Sequence, residues 1–202
     1  MLGSRGSRER APMWGNRDNR GMDDRQPAYT VGHSTRSIDE LRQMLRAHGI
    51  ELIADVRTVP RSRHNPQYEQ HNLRTALGEW RIGYTHYPDL GGLRRARQDS
   101  PNTGWRNASF RGFADYMQTE PFRRALDALL PRLAGERTAL MCAEAVPWRC
   151  HRSLIADALL VRGIEVLHIM GEQSLRPHVL TRFAQVRGLD ITYPAEQDPA
   201  NP

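Results

Sequence analysis

Short apolar runs alternate with segments of helical periodicity along the middle of the chain. The apolar runs predict five strands, at residues 29–31, 51–54, 83–87, 138–141 and 165–169. Strands that alternate with helices are typical of an α/β domain. We therefore predict one α/β domain with a mainly parallel sheet of about five strands.

The first helix has the clearest boundaries in the sequence. Ser37 is its predicted N-cap, Glu40 completes a capping box three residues later, and Gly49 ends it. Apolar residues at helical spacing predict the other helices, at residues 67–80, from 110, from 121, at 153–160 and at 175–187. Residues 191–193 predict a short edge strand.

The two ends of the chain differ from this middle part. Residues 1–27 carry six arginines among polar residues and very few apolar ones, which predicts a disordered basic tail. Residues 194–202 predict a frayed C-terminal end. The folded domain is therefore expected over residues 28–193.

The charged residues suggest the kind of ligand. The chain of 202 residues has a net charge of +6 and contains arginine but no lysine. Arginine is the better bidentate partner for phosphate and carboxylate groups. No apolar run approaches the ~18 residues of a membrane span, and the N-terminus is too polar for a signal peptide. We therefore expect a soluble cytoplasmic protein without a membrane partner; the oligomeric state cannot be predicted.

Polar residues collect where the predicted strands end. They are His33, Ser34, Asp55, Arg57, His86, Cys142 and Glu144. In open parallel sheets, ligands bind beyond the carboxyl ends of the strands. We therefore expect side chains from four separate segments to form one site at this edge.

The loop from Cys142 to Arg152 holds the most reactive groups. Cys150 and His151 fall near the start of a predicted helix, where unpaired amides and the helix dipole favour anions. Arg149 and Arg152 add guanidinium groups, so this helix start predicts a site for phosphate or another anion.

Three candidate catalytic residues each have two interpretations. Cys142 is either a nucleophile at the strand end or a small buried residue. Glu144 is either a general base or the ion-pair partner of Arg152. His33 either handles protons near neutral pH or is held by hydrogen bonds in its loop.

The loop after the second strand is basic. Asp55 and Arg57 lie two residues apart, so they share a face of the strand, which favours an ion pair over a catalytic aspartate. Arg57 and Arg63 are candidate phosphate ligands. Residues 57–68 and 94–111 interleave arginines with aromatic residues, which suits binding of nucleotides or single-stranded nucleic acid. The alternative interpretation is a pair of solvated loops.

A metal site is the last chemical possibility. The soft ligands are Cys142, Cys150, His151, His33 and His86. The spacing of the cysteines matches no common zinc motif, and adjacent residues at a helix start are expected to point apart. We therefore predict no cofactor, and zinc or iron is the alternative.

Several motifs together resemble one protein family. They are Gly32-His33-Ser34, Asp55-Val56-Arg57, Pro60 with Ser62-Arg63, Leu90-Gly91-Gly92, and Cys142-Ala143-Glu144 with Cys150-His151-Arg152. Their order is similar to that of the DUF488 family of bacterial and archaeal proteins, and the resemblance covers about residues 28–170. It implies a Rossmann-like, three-layer α/β domain and implies no reaction.

A weaker likeness concerns the cysteine loop. The order of strand, cysteine, loop and helix is similar to that of rhodanese-like domains and cysteine phosphatases, in which backbone amides surround a thiolate. Those loops are compact, whereas six residues separate Cys142 from Arg149 here.

Three functional hypotheses follow from the sequence. The first is an enzyme that binds a phosphate-bearing substrate, a nucleotide or nucleic acid, at the edge of the sheet. The second is thiolate-based sulfur or phosphoryl transfer through Cys142. The third is a nucleic-acid-binding module without catalysis.

Overall fold

A parallel sheet forms the centre of the molecule. The computed structural model describes residues 26–195, so the tails predicted at residues 1–27 and 194–202 lie almost entirely outside the described residues. Within the described part, the main sheet has six strands in the order β3-β2-β4-β1-β5-β6. The strands are β1 (Ala28–Gly32), β2 (Leu52–Asp55), β3 (Gly83–His86), β4 (Thr138–Cys142), β5 (Val166–Gly171) and β6 (Ser174–Pro177).

Five of these strands are parallel, and only β6 runs antiparallel, against β5. This arrangement confirms the predicted α/β class with a mainly parallel sheet. The chain inserts β4 between β1 and β2 after leaving the sheet at β3. The carboxyl ends of β2, β4 and β1 are therefore neighbours, and the loops that follow them can share one site.

Helices cover both faces of the sheet. They are α1 (Ile38–Ala47), α2 (Gln70–Glu79), α3 (Ala108–Met117), α4 (Glu120–Gly135) and α5 (Arg152–Val161). One core contains apolar side chains of α1 and α2, and the other contains those of α3, α4 and α5. Alternate residues of β1, β2, β4 and β5 point to opposite cores, as the pleat requires. The fold is thus the predicted three-layer arrangement.

Local capping chemistry explains where α1 starts. The Ser37 hydroxyl accepts a hydrogen bond from the Glu40 amide at 3.1 Å, and the Glu40 carboxylate accepts one from the Ser37 amide at 2.6 Å. The predicted capping box is therefore confirmed. The second helix starts later than predicted, because Pro66–Tyr68 forms a separate 3₁₀ turn before α2. Two further 3₁₀ turns occupy Pro88–Leu90 and Pro147–Arg149.

The helix predicted at residues 175–187 is wrong. Ser174–Pro177 pairs with β5 as an antiparallel edge strand, and this pairing satisfies backbone groups that β5 would otherwise expose. Further along, β7 (Gln185–Arg187) forms a hairpin with β8 (Asp190–Thr192) in a separate two-stranded sheet. The apolar spacing of this segment fits a helix, but strand pairing with distant residues prevails.

The length and polarity of the helices bear on membrane insertion. In residues 26–195, none of the helices combines the length and apolar character that a bilayer crossing requires.

Candidate functional site

A cavity of about 530 Å³ opens at the carboxyl ends of β1, β2 and β4. Its walls also include the turn at Gly92 and the first residues of α3. Eight of the sequence-predicted site residues line it: His33, Ser34, Arg57, Cys142, Glu144, Arg149, Cys150 and His151. Most of the candidate residues therefore lie around one cavity at this edge of the sheet.

The end of β1 is locked to the end of β4. The amide of His33 donates to the Cys142 carbonyl at 3.0 Å, and the amide of Ser34 donates to the Ala143 carbonyl at 2.8 Å. Ser34 has a φ of 48°, so the chain turns sharply here. A Cβ at Gly32 would overlap the carbonyl of Glu144, so only glycine permits this close approach of the two loops.

His33 is a neutral imidazole in this structure. Its Nδ1 lies 2.9 Å from the Ser34 carbonyl, which can only accept, so Nδ1 carries the proton. Its Nε2 lies 3.4 Å from Arg57 Nη1, which donates to it, and its ring stacks on Tyr68 at 4.0 Å. Burial, helped by the charge of Arg57, lowers the pKa of His33 to about 4. The structure therefore favours the hydrogen-bonded interpretation over proton transfer near neutral pH.

Asp55 and Arg57 form the expected ion pair under the cavity. The Asp55 carboxylate accepts hydrogen bonds from Arg57 Nη2 at 2.6 Å and from Nε at 2.9 Å. It also accepts one from the hydroxyl of Tyr84 at 2.8 Å. The Asp55 side chain is fully buried and does not line the cavity, so its role is to hold Arg57 in place.

Two thiols and one imidazole converge at the base of the cavity. His151 Nδ1 lies 3.7 Å from Cys150 Sγ and 3.9 Å from Cys142 Sγ, and all three atoms lie within 4.8 Å of one another. His151 Nε2 lies 3.1 Å from the Val56 carbonyl. A carbonyl only accepts, so Nε2 carries a proton, and Nδ1 is the ring atom that faces the thiols.

The expectation that Cys150 and His151 point apart is wrong. Cys150 has an extended backbone (φ −133°, ψ 142°), whereas His151 has a helical one (φ −56°, ψ −15°). The change of conformation between the two residues turns both side chains toward Cys142. Gly92 makes room for the imidazole, since a Cβ there would lie 2.5 Å from His151 Nδ1.

Arg152 is a buried cation beside these thiols. Its side chain is 1% exposed, and it donates to the Glu144 carbonyl at 2.6 Å, to Thr30 Oγ1 at 3.4 Å and to Cys150 Sγ at 3.4 Å. Within residues 26–195, no carboxylate forms an ion pair with it. The predicted ion pair with Glu144 is therefore wrong, because Arg152 contacts the backbone of Glu144 and leaves its carboxylate exposed.

The two thiols have opposite ionisation tendencies. The contact with Cys150, together with burial, raises the pKa of Cys142 well above its usual value. Burial alone would raise the pKa of Cys150, but its contacts with Cys142 and His151 and the charge of Arg152 lower that pKa well below the usual range. Of the two thiols, Cys150 is therefore the one whose pKa is lowered.

Comparison with known proteins gives a family and no function. The model of the family described as "Domain of unknown function DUF488" matches residues 37–159, which is more than half of the chain. The chain belongs to the DUF488 family. The match includes Cys142, Cys150 and His151, while His33 lies just before it. No curated protein and no solved structure matches this chain.

Some predicted residues of this DUF488 protein lie away from the cavity. His86 Nε2 donates to the Arg57 carbonyl at 2.8 Å and so braces the loop from behind. Arg63 is exposed and does not line the cavity. Asp55 and Arg152 are buried beneath it. The structure therefore separates residues that face the cavity from residues that support it.

Sequence reasoning left other cavity residues of the DUF488 protein out of the predicted site. Arg61, Leu93 and Phe110 line the wall, and Gly92 packs on His151. The double glycine at residues 91–92 and the basic run at residues 57–63 were the signals that could have identified two of them. Phe110 lies within the arginine and aromatic segment at residues 94–111, but only the structure shows that it reaches the cavity from the first turn of α3.

Some of the arginine and aromatic residues of the 94–111 loop are used within the fold. Arg94 lies over the ring of Tyr116 at 3.6 Å, and Arg97 pairs with Asp99 at 2.7 Å. Trp105 packs against Phe110, with the ring centroids 4.8 Å apart. Arg94, Arg97 and Trp105 are therefore engaged in contacts with other side chains, whereas Phe110 also lines the cavity and Arg95 and Arg106 are exposed.

Proposed function

We propose that this DUF488 protein is an enzyme that binds a phosphate-bearing substrate of nucleotide size in the cavity at the edge of the sheet. The observation that carries the proposal is the charge of the wall. Arg57, Arg61 and Arg149 line the cavity together with a single carboxylate, that of Glu144. Guanidinium groups bind phosphate bidentately, so such a wall favours phosphate over neutral ligands.

Two of the three arginines are free to bind. The side chains of Arg61 and Arg149 are exposed, and among residues 26–195 neither one has an ion pair or a side-chain hydrogen bond. Arg57 differs, because Asp55 and the Tyr68 carbonyl already occupy its donors. Arg61 and Arg149 are therefore the groups that we expect to hold the phosphate, with Arg57 fixing the cavity floor.

The size and apolar part of the wall favour a small molecule. A volume of about 530 Å³ falls within the range of roughly 300–1,000 Å³ that is typical of small-molecule sites. Phe110, Leu93 and Val59 give the cavity an apolar portion against which a base can pack. A nucleotide fits this combination better than duplex nucleic acid, whose recognition uses a surface and not a closed cavity.

The reactive groups next to this anion site support an enzyme. Cys142, Cys150 and His151 lie at the base of the same cavity and face into it. A module that only binds nucleic acid requires the arginines and does not require two thiols and an imidazole close together.

Calorimetric titration with a nucleoside 5′-monophosphate tests the binding step. We expect the wild-type protein to bind the nucleotide and to bind the neutral nucleoside at least about 10-fold more weakly, as lost charge-assisted hydrogen bonds imply. Arg61→Gln and Arg149→Gln should each weaken nucleotide binding about 5- to 20-fold. Arg74→Gln, an exposed arginine on α2 outside the cavity, is the matched control and should bind like wild type.

Two results would contradict the binding proposal. One is equal affinity for nucleoside and nucleotide, and the other is equal loss in the Arg74 control. Turnover is tested separately by incubating the protein with mixed nucleotides and following each by mass spectrometry. We expect at least one nucleotide to be consumed by wild type and not by Cys142→Ala; no consumption of any phosphate-bearing compound would rule out an enzyme of this substrate class.

A further inference from the structure

The convergence of Cys142, Cys150 and His151 has a geometry of its own, separate from the arginine wall. We propose that these three side chains bind a zinc ion, which keeps a fourth coordination position open toward the cavity. The proposal does not depend on the nucleotide proposed above, because it rests on the ligand atoms at the base of the cavity and not on the arginines.

The spacing of the three atoms is that of zinc ligands. With Zn–S near 2.3 Å and Zn–N near 2.0–2.1 Å, tetrahedral coordination separates the ligand atoms by roughly 3.5–3.8 Å. The structure has 3.7 Å and 3.9 Å between His151 Nδ1 and the two sulfurs, and all three atoms lie within 4.8 Å. An ion can therefore be held with only small side-chain rotations.

His151 is already oriented as a ligand. Its Nε2–H donates to the Val56 carbonyl, which fixes the ring and directs Nδ1 at the thiols, so that the neutral ring offers this atom as a ligand. Metal-binding histidines almost always donate their other ring N–H to a carbonyl or a carboxylate in this way. Gly92 leaves room for the ring beside Nδ1, since a Cβ there would lie 2.5 Å from this atom.

The charges around the cluster are consistent with an ion and an added anion. Two thiolates neutralise the charge of Zn²⁺. Arg152 donates to Cys150 Sγ at 3.4 Å and has no carboxylate partner among the described residues, so one positive charge remains beside the site. A hydroxide or a phosphate oxygen at the fourth position completes the balance. Thiolate and imidazole ligands select zinc over hard cations such as Mg²⁺.

The exposure of the cluster indicates the class of zinc site. Structural zinc sites have four protein ligands, whereas catalytic ones have three and keep a position for water or substrate. In residues 26–195, these three side chains form the whole group of close metal-binding atoms, and all three line the cavity. The open position therefore faces the space that a substrate would enter, where zinc can polarise a bound oxygen.

Metal titration of the full chain, stripped of metal by a chelator, tests the proposal. We expect one equivalent of Zn²⁺ to bind, and Co²⁺ as its spectroscopic substitute to give thiolate-to-metal charge transfer and intense tetrahedral visible bands. Cys142→Ser, Cys150→Ser and His151→Gln should each weaken Zn²⁺ binding by at least about 100-fold, more than the loss of an outer-shell group. His71→Asn, an exposed histidine on α2, is the control and should bind like wild type.

A second measurement on wild type guards against variants that fail to fold. Zn²⁺ should slow the alkylation of both Cys142 and Cys150 by iodoacetamide, read residue by residue by peptide mapping. Zinc binding without protection of both cysteines, cobalt spectra without thiolate charge transfer, or no zinc binding at all would each overturn the proposal. The Arg61→Gln/Arg149→Gln double variant should keep its zinc, so failure of the nucleotide site and failure of the metal site give different results.

Discussion

Two clusters of buried polar side chains meet at Arg152, one on each side. On the cavity side is the thiol cluster, formed by Cys142, Cys150 and His151. On the other side is the histidine network, formed by Thr30, His168, His178, Asp157, Thr181 and Tyr193. Both clusters contain titratable side chains of the kind that enzymes use in catalysis. They differ in how far their hydrogen-bonding capacity is satisfied.

Every member of the histidine network is hydrogen-bonded to another member, and the donors lead from Thr30 to the carboxylate of Asp157. Thr30 donates to His168 Nδ1 at 2.8 Å, His168 Nε2 to His178 Nδ1 at 3.1 Å, and His178 Nε2 to Asp157 at 2.8 Å. Asp157 also accepts from Tyr193 at 2.9 Å and from Thr181. A carboxylate so fully occupied has no capacity left for a ligand.

The thiol cluster keeps unused capacity. Its imidazole Nδ1 and its two sulfurs converge at weak hydrogen-bond distances, and all three residues line the cavity. Buried polar groups are normally satisfied, so an exception has to be explained. Both clusters are buried and contain groups with shifted pKa values, so these two properties alone do not identify a functional site. The thiol cluster differs because its polar groups are not fully hydrogen-bonded and face an open cavity.

The largest effect should come from breaking the histidine network. Asp157→Ala leaves His178, Thr181 and Tyr193 with unpaired buried donors, so we expect the free energy of unfolding to fall by about 3–5 kcal/mol. Urea denaturation measures it, with Asp157→Asn as a milder change that should cost less. A loss below about 1 kcal/mol would show that the network does not stabilise the fold.

The next effect concerns the packing of the thiol cluster. In Gly92→Ala, the new Cβ would lie 2.5 Å from His151 Nδ1 and would displace the ring, so we expect a loss of about 1–3 kcal/mol in unfolding free energy. Zn²⁺ affinity should fall with it. Gly78→Ala on α2 is the control, because no atom lies within 4 Å of its added Cβ; it should gain up to about 1 kcal/mol.

The pH dependence of the unfolding free energy tests whether His168 of the histidine network is neutral in the folded protein. Burial, helped by His178, Arg152 and Arg176 and opposed by Asp157, lowers the pKa of His168 to about 3. The unfolded chain therefore takes up this proton first, and stability is lost as the pH falls from about 6.5 toward 3.

Denaturation midpoints across this pH range measure the effect. His33, whose pKa is lowered to about 4, adds to the acid sensitivity of wild type, so the difference between wild type and His168→Gln is the relevant quantity. We expect His168→Gln to lose less stability than wild type on acidification. Parallel curves for the two proteins would contradict a neutral buried His168.

The smallest effect on stability should come from the cavity wall. The Glu144 side chain is exposed, and among the described residues no hydrogen bond or ion pair reaches its carboxylate. Glu144→Ala should therefore change the unfolding free energy by no more than about 0.5 kcal/mol. Thermal unfolding checks this, and a larger loss would mean that the carboxylate has a structural partner after all.

Sequence reasoning succeeded where local chemistry decides the structure. The capping box of Ser37 and Glu40 depends on residues three apart, and the continuous runs of β1, β2 and β4 reflect burial of every residue between two helix layers. It failed for residues 175–187, whose apolar spacing also suits a helix. There the decisive interaction is pairing with β5, which no local pattern can reveal.

By itself, the sequence determined the α/β class, the five parallel strands and the edge of the sheet where polar residues gather, because propensity and periodicity are properties of neighbouring residues. Only the tertiary structure decided which of those residues meet. It put Arg152 against the Glu144 backbone and not its carboxylate, and it turned Cys150 and His151 toward the same point. Such contacts depend on a change of backbone angle at one residue and on the approach of segments distant in the chain, and the order of amino acids carries no direct record of either.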